Sequence, residues 1–515
     1  MSAVDSPQQR PPARGSVGSG ESRGASLADS LRGAARSPMM LGVLACVALA
    51  ALSAAILPTV PSYDPWSWIV WGHEVFDPHT SFIVNGGPSW KPLPMVFTMI
   101  YGLIGGAAPT LWVITARVGG LLALWGTWKL TSRLAGGGWL GAFAGLLAAI
   151  GIVLTGRHDQ AWYYYFLHGT SEAILVAVAV WVVDRLLDRR HLQAYLIMAA
   201  GGLIRPEWWP FLGLYAIWLW FREPAFRSPS MRLVLLAGLA VQPIGWFVPP
   251  WVTTGQPFLA ATHAADYNGH LGSDVLRSIL ARGVRDQLLP ALILAVAAVV
   301  IGWVRDRNRA ILAIAAGIAG WWVVVVGETL DGYPGLERFF LPAAALTTVL
   351  GAVGLVQLAQ LAGGLAGSWR RPVMAAVAVV LAALCIPFST TQINVARGDE
   401  RNATQGVHLL DALTQAVAAA GGKAQVLPCP SSFTAVNHSA QTALAWKLGV
   451  TLQRVGTSMR APGVDFVGPK AAQIGGAAKI DPRLTHAQTV ATAGPWRVVR
   501  LTDPRLHHSA ACVGR

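Results

Sequence analysis

The chain has 515 residues, of which 54% are hydrophobic and only 12% are charged, and its formal charge is +14 at pH 7. Soluble domains carry roughly 25% charged residues, and several apolar segments here approach the roughly 20 residues that cross a bilayer. This composition excludes a soluble globular protein and predicts a polytopic membrane protein. The apolar segments are long and lack the alternation of strands, so we expect membrane helices.

The positive charge has a simple explanation in a membrane protein, because Lys and Arg accumulate in cytoplasmic loops. The basic residues are scattered among short loops instead of forming one basic face with interleaved aromatic residues, so we expect no nucleic-acid partner. Anionic membrane lipids are the natural partners of these loops.

The first 38 residues are rich in Ser, Gly, Pro and Arg. This composition predicts a disordered N-terminus, and its arginines place that segment in the cytoplasm. The apolar run from Met39 to Val60 lacks a clear small-residue cleavage site, so we interpret it as an anchoring helix that carries the chain outward. The transmembrane domain is predicted over residues 39–390.

The loop that follows is unusually aromatic and polar for a connector, with the sequence PSYDPWSWIVWGHEVFDPHTSFIVNGGPSWKPL from Pro61 to Leu93. Its segments Pro65–Phe76 and Pro92–Ile104 are short, Trp-rich or interrupted by Pro and Gly. We therefore predict two juxtamembrane helices that lie near the interface, where Trp is favoured.

Charge sets the direction of the later spans, because only this assignment leaves nearly every Lys/Arg cluster inside. With the first helix we count about 11 transmembrane helices. The other ten are predicted at Leu111–Leu130, Trp139–Leu154, Ala173–Leu187, Leu192–Ile204, Phe211–Phe221, Leu233–Trp251, Leu288–Val304, Ile311–Gly327, Phe339–Leu361 and Val373–Phe388.

From about Arg397 the charge rises and the apolar runs shorten. We predict a small α/β domain over residues 397–515, on the extracytoplasmic side. Residues 408–422 read as an amphipathic helix, and residues 424–429 and 496–503 read as strands. Cys429 and Cys512 could form a disulfide if this domain lies outside the cytoplasm.

The outer loops contain two acidic residues of special interest. Asp64, in YDPW, could accept a proton from a hydroxyl group or hold a metal, or it could cap the helix that starts at Pro65. Glu74 is a candidate second acid, or simply an interfacial charge.

Three cations on the same side could bind a phosphate group. Each also has a structural explanation. Lys91 could be a snorkelling interfacial residue, Arg205 could pair with Glu207 across Pro206, and Arg338 could anchor a helix at the interface.

The segment HGTSEA places His168 and Glu172 four residues apart, which puts both on one face of a helix. They could contact a bound substrate, while Thr170 and Ser171 could cap the helix. His168 could equally be an interfacial histidine held by hydrogen bonds.

Taken in order, YDPW, SWKPLP, HGTSEA, LIRPEW and LERFFLP resemble the GT-C membrane glycosyltransferases, a superfamily that includes protein O-mannosyltransferases, the aminoarabinose transferase and actinobacterial mannosyl- and arabinosyltransferases. The resemblance covers roughly Met39–Phe388. It implies an enzyme that moves a sugar from a polyprenyl-phosphate donor to a cell-envelope glycan, lipid or protein, with inversion at the sugar carbon. The Ala-, Gly- and Arg-rich composition also suits a high-GC actinobacterium.

The resemblance also implies roles for particular residues. Asp64 would be the base, and Glu74 a second acid, since many members carry Asp-Glu where this chain has Asp64-Pro65. That difference leaves a requirement for a divalent metal open. The donor phosphate would meet Lys91, Arg205 and Arg338, and the residues for substrate binding would be His168, Glu172, Glu207 and Trp90.

Two other functions remain open. A transporter or flippase of a lipid-linked substrate could line its path with the same polar residues, although charges that continue through the spans would favour it more. The second alternative is a non-catalytic envelope assembly protein with a degenerate site. It stays open because this chain has Asp64-Pro65 where many members of the superfamily carry Asp-Glu.

Overall fold

The computed structural model describes residues 38–156, 161–266, 274–429, 432–459, 462–469 and 487–501. The predicted disordered segment before residue 38 lies outside these ranges. The chain forms two compact units, residues 1–46 and residues 47–515. The packing described below is that of the second unit.

The described chain is mostly helical, as predicted. We number the helices α1 to α19: Pro38–Ile56, Tyr63–Glu74, Pro92–Gly102, Ala108–Leu134, Gly138–Val153, Trp162–His168, Glu172–Leu187, His191–Gly202, Trp209–Arg222, Pro229–Thr254, Leu259–Asp266, Val275–Arg285, Leu289–Val304, Arg309–Leu330, Leu341–Gly364, Arg370–Ala383, Ile386–Ala419, Gly422–Val426 and Gln441–Leu448.

Within the described residues, five helices are long and apolar enough to cross a membrane, and up to eight if each bent helix pair counts as one span. This confirms a multi-pass membrane protein, while the count of 11 spans stays a prediction. The last predicted span, Val373–Phe388, falls on two helices, because α16 is followed by α17 at an angle of 47°. The loop predicted after Trp251 holds two further helices, α11 and α12.

Helix α15 lies at the centre of the helical part, and its apolar stretch is entirely buried. It packs closely on α13, where small residues let the two backbones approach. A Cβ atom added at Gly351 would lie 2.5 Å from the carbonyl oxygen of Ala291. Arg338, just before α15, is therefore attached to the most enclosed helix of the fold.

The two short helices of the first outer loop, α2 and α3, pack closely against each other. At Gly72 the two backbones are too close for a side chain to fit between them. A Cβ atom there would lie 2.5 Å from the carbonyl carbon of Thr98 on α3. Helix α3 has 11 residues, which is too short for the roughly 20 that span a bilayer. This length agrees with the predicted juxtamembrane position.

The C-terminal part contains a small sheet in which β5 (Trp496–Leu501) pairs antiparallel with β3 (Gly463–Val467) and β4 (Ala487–Ala493). Two-residue strands β1 (Thr434–Ala435) and β2 (Val455–Gly456) pair in parallel. The strand predicted at residues 496–503 is confirmed over Trp496–Leu501, and residues 502–503 lie outside the described residues. The strand predicted at residues 424–429 is wrong, because the short helix α18 lies there.

The C-terminal part packs directly on the first outer loop. Trp66 and Trp71 of α2 share one buried apolar cluster with Leu444 and Leu452. Helix α17 runs across the predicted domain boundary at residue 397 without a break. This packing brings the C-terminal part to the polar residues of the outer loops.

Candidate active site

One cavity of about 680 Å³ brings together polar residues from several of the predicted outer loops. Its walls come from the first outer loop, the turn after α8, helix α11, the turn before α15 and the C-terminal part. The polar residues that line it are Tyr63, Asp64, Ser89, Lys91, Arg205, His263, Tyr333, Arg338 and His438.

Glu172 is the buried anion to which all three predicted phosphate-binding cations come close. Its side chain is 1% exposed, and its Oε1 lies 3.7 Å from Lys91 Nζ, 3.7 Å from Arg205 Nη1 and 3.9 Å from Arg338 Nη1. The sequence placed Glu172 only as a substrate contact. The structure shows that it also holds three cations, which come from distant parts of the chain, at one point.

Lys91 is buried at the start of α3, in extended backbone that the following proline favours. Its Nζ donates a hydrogen bond to Ser171 Oγ at 2.8 Å and lies 5.2 Å from the centre of the Trp68 ring. Burial lowers the pKa of this ammonium group, which Glu172 partly opposes. A buried ammonium of this kind is a favourable partner for a phosphate that enters the cavity.

Arg205 has the structural ion pair that the sequence offered as one of two roles, and phosphate binding stays a prediction. Its Nε and Nη2 donate to Glu207 Oε1 at 2.8 and 2.6 Å, so the structural ion pair is present. The guanidinium also lies 3.9 Å from the centre of the Phe339 ring, an arrangement that suits a cation on an aromatic face. Arg205 lines the cavity, whereas Glu207 acts on it through Arg205.

Asp64 is the second residue of α2, and Ser62 is the cap residue. The interpretation of Asp64 as the cap is therefore wrong, because the helix begins two residues earlier than Pro65. The Asp64 carboxylate is half-buried, and its Oδ2 lies 3.6 Å from Arg338 Nη1. It is thus held by a guanidinium at the wall of the cavity.

The carboxylates at the cavity are not arranged for a divalent metal. Asp64 faces Arg338, and Glu172 faces three cations. A divalent ion needs several oxygen or nitrogen ligands at one point, and the described residues include no group of three or more His, Cys, Asp or Glu side chains that could hold one. We therefore derive no step through a metal.

Glu74 lies away from Asp64. It lines a separate pocket of about 200 Å³ with Asp77 and Trp446. Burial raises the pKa of Glu74 to about 8, so the carboxyl group is largely protonated at neutral pH. The structure does not bring the two predicted acids into one site.

His168 and Trp90 lie outside the wall of the described cavity, and each contacts a backbone carbonyl oxygen instead. His168 Nδ1 lies 3.1 Å from the Val60 carbonyl oxygen, and Trp90 Nε1 donates to the Gly245 carbonyl at 2.8 Å. Both side chains are buried. Their positions explain them as residues that hold the first outer loop in place.

Sequence reasoning missed several residues of the cavity wall. Tyr63 and Tyr333 carry no motif of their own, although Tyr63 adjoins Asp64. His438 comes from the C-terminal part, and its ring stacks on Tyr63 with centroids 4.2 Å apart. No local sequence pattern predicts this contact, because it depends on packing between segments that are far apart in the chain.

The cysteines agree in part with expectation. Cys46 and Cys385 are free. Cys429 takes part in a disulfide bond, and its predicted partner Cys512 lies outside the described residues.

Comparisons with known proteins give a likeness of structure. No protein-family model and no curated protein sequence matches the chain. The crystal structure of ArnT from Cupriavidus metallidurans bound to undecaprenyl phosphate matches with a TM-score of 0.54 and 14% identity, over 93% of this chain and 99% of that one.

Two further structures are similar. The apo state of the same ArnT matches with a TM-score of 0.48 and 15% identity, over 90% of this chain and 97% of that one. The archaeal oligosaccharyltransferase AglB from Archaeoglobus fulgidus, in complex with an inhibitory peptide and a dolichol-phosphate, matches with a TM-score of 0.40 and 12% identity, over 82% of this chain and 66% of that one. These neighbours are GT-C glycosyltransferases. The likeness to ArnT over nearly the whole of both chains shows that this membrane protein shares the fold of ArnT.

Proposed function

We propose that this protein transfers a sugar from a polyprenyl-phosphate donor to a hydroxyl group of a cell-envelope acceptor on the outer face of the membrane. The observation that carries the proposal is the convergence of Lys91, Arg205 and Arg338 on one cavity that also holds Asp64. A fold alone does not establish a function, so the proposal depends on this site. The fold supports it, because ArnT was crystallised with undecaprenyl phosphate.

The three cations suit the phosphate of the donor. Lys91 supplies an ammonium donor, and the two guanidinium groups supply paired N–H donors that match phosphate oxygens. Phosphate and Glu172 would then share the same cations. Because charge-assisted hydrogen bonds are stronger than neutral ones, this site would also stabilise the charge that develops on the departing phosphate.

The apolar tail of the donor has a matching surface. Trp209, Phe247 and Phe258 line the cavity. Their rings form a continuous series, with centroids 5.9 Å apart between Trp209 and Phe247 and 5.2 Å apart between Phe247 and Phe258. The Phe258 side chain is 63% exposed, so the series leads from the cavity to the protein surface, where a prenyl chain could continue into the lipid.

The chemistry follows from this placement. The acceptor oxygen attacks the anomeric carbon, the bond between that carbon and the phosphate oxygen breaks, and polyprenyl phosphate leaves with the bonding electrons. Asp64 takes the proton of the acceptor hydroxyl. Attack from the face opposite the phosphate inverts the anomeric carbon. Arg338, 3.6 Å from Asp64, pairs with this carboxylate and fixes its position at the cavity wall.

We predict that Asp64→Asn abolishes transfer and leaves donor binding intact. A positioned base contributes about 10²–10⁴ in rate, so we expect a loss of that size. Transfer is measured with purified protein in nanodiscs, donor lipid extracted from a strain that lacks the gene, and the glycan fraction of that strain as acceptor. Undecaprenyl phosphate binding is followed by native mass spectrometry.

The control is Asp331→Asn, since Asp331 is exposed at the end of α14 and lies outside the cavity wall. It should transfer at the wild-type rate. Full activity of Asp64→Asn would remove Asp64 as the base. If the wild type neither binds undecaprenyl phosphate nor transfers sugar, and the deletion strain accumulates no prenyl-linked sugar or truncated glycan, the proposed function itself is wrong.

A further inference from the structure

The cavity contains one surface that neither the donor phosphate nor its tail explains. His438, from the C-terminal part, stacks on Tyr63, with ring centroids 4.2 Å apart and an angle of 28° between the ring planes. We call this pair the Tyr63–His438 platform. His438 is exposed and lines the cavity, so one face of the platform is open to a ligand.

Hydrogen bonds between distant segments hold the platform in place. Tyr63 Oη donates to Gln441 Oε1 at 3.0 Å, and Thr442 Oγ1 donates to the Tyr63 carbonyl at 3.1 Å. Gln441 Nε2 in turn donates to the carbonyls of Gly86 and Val455 at 3.0 and 2.6 Å. The Tyr63 ring is therefore held in place before any ligand arrives, which reduces the entropy cost of binding.

The platform lies beside the proposed base. Tyr63, Asp64 and His438 all line the same cavity, so a group stacked on the platform shares that cavity with the carboxylate that would deprotonate it. The donor needs other parts of the cavity. Its phosphate needs the cations around Glu172, and its tail needs the aromatic series that ends at Phe258. The donor sugar must lie between that phosphate and the attacking hydroxyl, so we assign the platform beside Asp64 to the acceptor.

The chemistry of the surface indicates what kind of acceptor fits. An exposed aromatic face binds a flat apolar surface, and the neighbouring carboxylate accepts hydrogen bonds from hydroxyl groups. A sugar ring offers both, with C–H groups on one face and hydroxyl groups around its edge. Because a carboxylate only accepts hydrogen bonds, a ring that carries hydroxyl groups fits beside Asp64 better than an acidic group, which the three cations would bind.

From this geometry we propose that the Tyr63–His438 platform is the acceptor subsite, and that it stacks on an uncharged sugar ring of a glycan whose hydroxyl points to Asp64. The inference rests on the proposed function. It gives the C-terminal part a direct role in substrate recognition, through a positioning contact by His438.

The test compares three variants with the wild type in the transfer assay described above. His438→Ala should raise the KM for the glycan fraction at least tenfold, with kcat changed less than threefold. His438→Phe keeps a flat ring and should stay within threefold of the wild-type KM. His408→Ala, at an exposed histidine on α17, should behave as wild type. Undecaprenyl phosphate binding should be the same in all three.

The outcomes separate the inference from the function on which it depends. An unchanged acceptor KM in His438→Ala, with transfer by the wild type, overturns the platform and leaves the proposed function standing. A KM that rises equally in His438→Phe shows that stacking is not the contact, and also overturns it. If His438→Ala unfolds, judged by its thermal melting curve, His438→Gln replaces it and must show the same rise.

Discussion

At the scale of single residues, Glu172 has the most demanding environment at the site. It is buried, and three cations approach its Oε1 at 3.7 to 3.9 Å. Cations brought this close would repel one another without an anion among them. Glu172 therefore keeps the phosphate-binding cations together while the donor is absent.

We predict that Glu172→Gln destabilises the ligand-free protein, because breaking a buried ion pair costs about 3–5 kcal/mol. Undecaprenyl phosphate should raise the melting temperature of this variant more than that of the wild type, since its phosphate replaces the missing charge. Melting is measured in nanodiscs with and without the lipid.

The matched control is Glu337→Gln, which removes a partly exposed partner 3.8 Å from Arg282. Such pairs contribute only about 0–1 kcal/mol. A loss of melting temperature in Glu172→Gln no larger than in this control would contradict the role of Glu172, as would equal stabilisation of variant and wild type by the lipid.

At the scale of elements, the close contact of α2 and α3 sets the positions of Asp64 and Lys91 at the site. Asp64 is in the first turn of α2, and Lys91 directly precedes α3. The two helices touch at Gly72, where no side chain would fit. The distance between Asp64 and Lys91 therefore depends on a glycine about 12 Å along the helix from Asp64, by the rise of about 1.5 Å per residue.

We predict that Gly72→Ala separates the two helices and lowers the free energy of unfolding by about 1–3 kcal/mol, the usual cost of an extra group in a packed contact. Undecaprenyl phosphate should also bind more weakly. Gly106→Ala serves as the control, because a Cβ atom there would meet nothing within 4 Å. Equal stability of the two variants would show that the contact is not needed.

At the scale of the whole molecule, helix α7 separates two charged regions. Glu172 begins the helix at the cavity, and Asp184 lies near its other end, where Lys129 donates to it at 2.8 and 2.7 Å. Arg189 and Arg190 follow and are exposed. Sixteen residues of helix extend about 24 Å at 1.5 Å per residue. The basic end is expected in the cytoplasm, which would place the cavity outside.

We predict that a membrane-impermeant maleimide labels Gln488→Cys in intact cells but labels Arg190→Cys only after permeabilisation. Both positions are exposed, and the free Cys46 and Cys385 are replaced by alanine beforehand. The reverse labelling pattern would overturn the proposed orientation and, with it, the outer-face location of the reaction.

The sequence by itself determined the membrane class, the helical fold and the presence of Lys91, Arg205 and Arg338 near helix starts. These are local properties, because hydropathy along the chain reports the cost of exposing each segment to lipid or water. The order of the five short motifs carried the resemblance to the GT-C fold, which the structural likeness to ArnT supports.

Only the tertiary structure decided which of these residues meet. In the tertiary structure Glu172 lies among the three cations, Glu74 lines a different pocket from Asp64, and His438 stacks on Tyr63. Each of these outcomes depends on contacts between segments far apart in the chain, where the balance between burial and charge pairing is set by the packing of whole elements. A local pattern of residues contains no information on that packing.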